Sequence, residues 1–147
     1  MSTRLWLVFV VAVLLGRQLS ADEDSAAELK RIEGCFERKF QNAAGTTFRV
    51  LREVAGDQSR VTTWDDVGNV VESHTSTIKV EKRGSVRVLS FFNLTVTAGP
   101  HKGHVDFATN SYIYRLEGDT FTEAWGLLEG DSSPPRMFQW QRCKDAK

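Results

Sequence analysis

The sequence predicts an all-β domain of about eight strands preceded by one short helix, an antiparallel barrel or sandwich, of which we favour a small barrel because it closes on itself and leaves no edge strand. Three observations predict it. Apolar and polar residues alternate with period two over most of the chain beyond Gly34, which sends successive side chains to opposite faces of a strand. The alternating runs are separated by stretches rich in Gly, Asn, Asp and Pro, the residues that tight bends require. Only Ser25 to Arg31 has a helical pattern, so little besides strands is available to build a core.

The chain opens with a basic start ending at Arg4, an unbroken apolar run from Leu5 to Leu15, and Leu19-Ser20-Ala21 ahead of the acidic Asp22-Glu23-Asp24. Charged, apolar, small is the order of a secretory signal peptide. The apolar run is well short of the roughly 20 residues that span a bilayer. We therefore expect a leader over residues 1–21, cleaved after Ala21, and an exported protein, periplasmic or extracellular, with no stable membrane insertion after cleavage. Residues 22–28 are acidic and alanine-rich and are expected as a flexible lead-in to one domain over residues 29–144. The full chain has 19 basic and 19 acidic residues; losing Arg4 and Arg17 leaves 17 against 19, a net charge of −2. That balance gives no electrostatic reason to expect a nucleic-acid partner.

The strands follow in order. Gly34 and Phe36 share one face of the first, with Cys35 on the other. Thr47 to Val54 and Arg60 to Asp66 are rich in β-branched and aromatic residues, which suit a pleated surface. Ala55-Gly56-Asp57 turns between them. Asp66-Val67-Gly68-Asn69 turns towards Thr75 to Lys82, where Ile78 and Val80 alternate with Lys79 and Glu81. After Lys82-Arg83-Gly84, the run Ser85 to Thr97 places Val86, Val88, Phe92, Leu94 and Val96 on one face, with Ser90 among them, and Arg87, Asn93, Thr95 and Thr97 on the other, which Leu89 and Phe91 interrupt. Ala98 to Gly103 is a Gly-Pro loop. Asn110 to Leu116 and Thr120 to Trp125 form a hairpin about Glu117-Gly118-Asp119. Gly130 to Pro135 ends the strand pattern with paired prolines before a last strand, Met137 to Cys143.

Cys35 and Cys143 are the two cysteines of the chain. In an exported domain this count suggests a disulfide, with two free thiols as the alternative. If Phe36, Phe138 and Trp140 point inward, both cysteines point outward, on first and last strands that are antiparallel neighbours in a closed up-and-down barrel. A non-hydrogen-bonded pair there, with Cα atoms about 4.5 Å apart, would be within bridging range.

The order of short motifs resembles that of lipocalin-like domains. Leu29 to Phe36 is similar to their opening L-x-G-x-W, with Phe36 in place of Trp. Thr97-Ala-Gly-Pro-His-Lys-Gly103 resembles the D-G-P-x-K-G loop of a lipocalin-like family common among exported planctomycete proteins. Tyr112 to Phe121 resembles its Y-x-L-D-G-D-x-L hairpin, and Pro135 to Phe138 its R-P-x-x-F approach to the last strand. The chain departs from that pattern at Ala124-Trp125, where the family often has Cys, and at Glu117, where it prefers Asp. The resemblance implies a lipocalin-like barrel and no particular activity.

No catalytic constellation assembles from the sequence, so no enzyme is expected. Gly130-Asp131-Ser132 lacks the surroundings of a serine-protease nucleophile, and there is no phosphate-binding Gly-rich loop. His101 and His104 flank Lys102-Gly103, too few ligands for a zinc site, and neither metal nor cofactor is expected. The acid pairs Asp65-Asp66 and Glu117/Asp119 fall in turns, where such residues serve the backbone. Asn93-Leu94-Thr95 is a glycosylation sequon with no expected use in a bacterial protein. His74 reads as a surface or pocket-lining residue. The functional opening is aromatic: Trp64, Phe92, Tyr112, Tyr114 and Trp125 are expected to line an interior that takes a small apolar or amphipathic ligand. The alternative is a packed barrel acting as a protein-interaction module through its loops.

Overall fold

A computed structural model describes residues 24–144 except 129, 131 and 133. The expected leader lies outside the described residues, as do two positions of the Gly130 to Pro135 loop. Helix α1 covers residues 24–32 and so includes most of the stretch expected as a flexible lead-in. The strands are β1 (Gly34–Gln41), β2 (Thr47–Ala55), β3 (Gln58–Trp64), β4 (Val70–Arg83), β5 (Val86–Ala98), β6 (Val105–Asp106), β7 (Asn110–Glu117), β8 (Thr120–Trp125) and β9 (Arg136–Arg142).

Eight of these strands form a closed antiparallel barrel. They run β4-β3-β2-β1-β9-β8-β7-β5, and pairing of β4 with β5 completes the ring. The two-residue β6 pairs on β5 beside Leu94 and Thr95. The fold is all-β, a closed barrel with a short N-terminal helix; it fits the lipocalin-like barrel that the motif resemblance implies, and closure leaves no free barrel edge.

The seam between first and last strands is short. β1 and β9 pair only at Phe36↔Arg142 and Glu37↔Gln141. A disulfide from Cys35 to Cys143 spans its outer end, with Cα atoms 5.3 Å apart. The Cys143 amide donates to the Cys35 carbonyl at 2.9 Å, so this pair is hydrogen-bonded rather than the non-bonded type expected, consistent with the wider spacing. Arg142 adds to the seam by donating from Nη1 to the Glu33 carbonyl at 2.7 Å and from Nη2 to the Arg31 carbonyl at 3.0 Å.

Helix α1 lies across the barrel end where β1 begins and β9 finishes. Ile32 is buried and Leu29 packs on the core. Ser25 Oγ donates to the Val80 carbonyl at 2.5 Å, and Glu33 accepts from the Gly56 amide at 3.2 Å. Glu28 receives the Tyr114 hydroxyl at 3.1 Å and ion-pairs with Arg87 at 2.9 Å and with Arg31 at 2.6 Å. Burial pushes the Glu28 carboxyl up, but the Arg31 and Tyr114 hydrogen bonds and the nearby guanidinium charges outweigh it and leave the group below its ordinary range. Under the helix, Phe36, Tyr114 and Phe121 fill this half of the barrel, Tyr114 stacked on Phe121 at 5.2 Å and Phe36 tilted against it at 5.4 Å.

One sequence expectation fails in β5. Leu89 and Phe91 point inward, and so does Leu94, three residues on. Thr75 pairs with Thr95 while Thr77 pairs with Phe92, so three steps on β5 oppose two on β4. The extra residue is a bulge beside Asn93, whose φ is +54°. Val86 and Val88 therefore do not share a face with Leu94 and Val96. Just past this strand, Gly99 has φ +101°, and a Cβ there would come within 2.4 Å of the Val71 carbonyl. Only glycine lets the β5 end pass so close to β4.

Candidate functional site

The half of the barrel away from the helix is open. A cavity of about 340 Å³ runs from Val54 and Ile78 up to Phe40, Thr63, Leu94 and Phe138 near the other strand ends. That volume is at the small end of the roughly 300–1,000 Å³ usual for ligand pockets. One wall is aromatic: Tyr112 stacks on Trp125 at 4.8 Å, and Phe91 tilts against Trp125 at 5.6 Å.

The floor and opposite wall are charged. Arg52 and Glu123 are almost fully buried, 9% and 2% exposed, and Arg52 Nη1 lies 2.9 Å from Glu123 Oε2. They meet at ion-pair distance without the alignment of a hydrogen bond. The Arg52 guanidinium also sits 4.3 Å from the Trp140 ring centre, within cation–π range. Burial tends to lower the Arg52 pKa, yet the neighbouring Tyr112 and the Glu123 carboxylate raise it overall. Burial drives the Tyr112 hydroxyl well above the usual phenol range, so it stays protonated as a hydrogen-bonding group.

Arg38 is the second arginine of the cavity. Its guanidinium is boxed by rings, 4.6 Å from Phe138, 4.8 Å from Trp140 and 5.1 Å from Phe40. Burial lowers its pKa, Glu123 partly restores it, and the like charge of Arg52 lowers it further. His74 lines the cavity too, its Nδ1 3.4 Å from Glu72. Burial pushes the imidazole below its ordinary pKa, more than the Glu72 carboxylate raises it, so His74 is neutral at neutral pH.

The five aromatic residues named from the sequence separate in the structure. Tyr112 and Trp125 line the cavity. Tyr114 lies in the packed half, between Phe121 and the helix. Trp64 does not face the interior: its register partner is Arg49, whose guanidinium lies over the indole at 5.5 Å, and it borders a shallow hollow beside Asp65 and Asp66. Phe92 is not among the cavity residues: alternation from Leu89 and Phe91 turns it outward, ahead of the bulge that brings Leu94 inward. The acid pairs do sit in turns. Asp65 caps its own turn, accepting from the Asn69 amide at 2.7 Å and the Val67 amide at 3.1 Å. Among the described residues no group of three His, Cys, Asp or Glu is placed to hold a metal ion.

Sequence reasoning missed Arg38, Arg52 and Glu123, although each has a signal in the pattern. Arg38 alternates with Phe36 and Phe40, Arg52 with Val50 and Val54, and Glu123 with Phe121 and Trp125. A charge in phase with apolar neighbours on both sides marks an inward-facing polar group.

The exposed large apolar residues are also unevenly placed. Phe40, Val67, Val70, Val71, Val105, Phe107, Leu127 and Met137 are exposed. All belong to strand ends or connections on the open side, so the cavity has an apolar rim. Comparison of the chain with family models, with curated proteins and with solved structures gives no match.

Proposed function

We propose that this chain is an exported, non-enzymatic binding protein that holds one small amphipathic molecule in the open half of its barrel. The observation that carries the reading is the cavity itself. It measures about 340 Å³, with one aromatic wall and polar and charged side chains at defined positions around it. Small ligand sites are built this way, with apolar surface for affinity and convergent polar groups for orientation. The disulfide supports export, because such bridges persist in oxidising compartments. We place the protein in the periplasm or outside the cell, and keep the planctomycete lipocalin-like family as its proposed kin.

Titration with prodan, a neutral environment-sensitive dye, tests the reading. The folded protein should take it up saturably with a blue-shifted emission, and Trp125→Ala should weaken that uptake by removing the ring stacked on Tyr112. Uptake that never saturates, or is the same in the variant, would refute the cavity as a binding site.

A second reading, an interaction module, is favoured by the apolar rim, since exposed apolar patches mark contact sites. It takes the lead if prodan and a broad lipid and metabolite panel show no saturable binding.

A further inference from the structure

The buried donors and acceptors of the cavity residues do not balance. Arg38 Nε, Trp125 Nε1 and Trp140 Nε1 are buried without hydrogen-bond partners among the described residues. All three are donors, and indole and guanidinium groups have no acceptor to offer. The one buried acceptor left over, Glu123 Oε2, already faces Arg52 Nη1 at 2.9 Å. The charges are unequal as well. Arg52 has Glu123, whereas no carboxylate of the described residues forms an ion pair with Arg38. With His74 neutral, the cavity residues carry one positive charge in excess.

We infer that the natural occupant carries an anionic group, a carboxylate on a single apolar body, seated against Arg38 in the open half of the barrel. The inference rests on the binding reading above and names the chemistry that the cavity selects.

Geometry favours this chemistry over simple filling by water. Phe40, Phe138 and Trp140 surround the Arg38 guanidinium, and aromatic groups favour its flat faces. The Nε–H has no hydrogen-bond partner among the described residues, and a carboxylate can meet the guanidinium edge that carries it with two parallel hydrogen bonds. Water can accept from the orphan donors but brings no charge to offset the half-buried Arg38, whose Nε is fully buried. The seam leaves space at this point. β1 and β9 stop pairing at Glu37 and Gln141, so the next register positions, Arg38 and Trp140, flank an unzipped stretch of the barrel wall. A cavity of about 340 Å³ suits one short chain or a small ring system.

Displacement of prodan from the native protein tests the inference, with decanoate, decyl sulfate and decanol as competitors of matched chain. Decanoate should displace the dye at about tenfold lower concentration than decanol, the scale of one charge-assisted contact. Arg38→Met should bring that ratio towards one. Decyl sulfate separates a general anion site, where it matches decanoate, from a carboxylate-shaped one, where it lags. Decanoate and decanol of equal strength on the native protein would overturn the inference while leaving the cavity reading in place. Failure of prodan itself to bind would remove the cavity reading first. If Arg38→Met does not fold, the native ratio alone decides, together with the NMR titration of carboxyl-labelled decanoate. Seated against Arg38, the bound acid should stay ionised at pH values where the free acid is protonated. A bound acid that titrates like the free one overturns the inference.

Discussion

Replacing Cys35 by Ser should lower the melting temperature substantially, and the structure sets the scale. The bridge joins residues 108 positions apart. In the chain-entropy treatment a loop of that length confines the unfolded chain by about 4–5 kcal/mol. On the native side the variant keeps the two β1–β9 register pairs, the Cys143-to-Cys35 backbone hydrogen bond and the Arg142 contacts. For a domain of this size about 1 kcal/mol corresponds to roughly 3–6 °C. The full entropic effect is therefore on the order of 12–30 °C, and a loss of at least about 10 °C is expected once native-state relaxation is allowed for. Differential scanning calorimetry of the native protein, Cys35→Ser, Cys143→Ser and the double variant measures it. The double variant should lose little more than either single, because all three remove one shared bond. Reductant should bring the native protein down to the variants and leave the variants unmoved. A fall of less than about 3 °C in both single variants, at most about 1 kcal/mol here, would refute the argument that the bridge, rather than strand pairing, secures the seam.

The remaining expectations concern the buried charges, acid stability and export. Glu123→Leu should cost about 3–5 kcal/mol in urea unfolding by leaving Arg52 unpaired, and adding Arg52→Met should recover most of it; a double variant as weak as the single would contradict the pairing. The folded-state pKa of Glu28 is depressed, so its contribution is present above the ordinary 4.5 and fades as pH falls through the folded value. Melting temperatures across that range should fall less steeply in Glu28→Gln, and parallel curves would refute the role. The His74 pKa is depressed too, so the unfolded chain takes up its proton first and stability falls as pH drops below 6.5; His74→Gln should remove that component from the same melting series. Sequencing of exported protein should find an N-terminus near Asp22, and an intact Met1 would refute cleavage.

The barrel was legible because its signal is local and repeated. Val50, Val54, Ile78 and Val80 keep the inward phase that alternation assigns, and Gly118-Asp119 turns as hairpin chemistry requires. The β5 face was not legible, because one residue near Asn93 shifts the phase and no local residue type announces it. Phe92 lies outside because alternation from the inward Leu89 and Phe91, ahead of the shift, turns it away. Trp64 departs for a different reason: aromatic character alone does not set the facing, and alternation puts Thr63 inside and Trp64 outside. The charged side of the cavity was hidden by a general expectation that Arg and Glu face water. That expectation fails where Arg52 and Glu123 meet in the interior, a contact 71 residues apart in sequence that no local window displays.

The disulfide and helix α1 sit at the same end of the barrel, and this fixes how the protein can be attached to anything else. The described chain starts at the helix and finishes at Lys144, just beyond Cys143, so both described ends leave from the closed end. A tether, tag or surface joined at either one holds the barrel by its base and turns the cavity mouth and its apolar rim outward. Protein held at either described end therefore keeps the opening free.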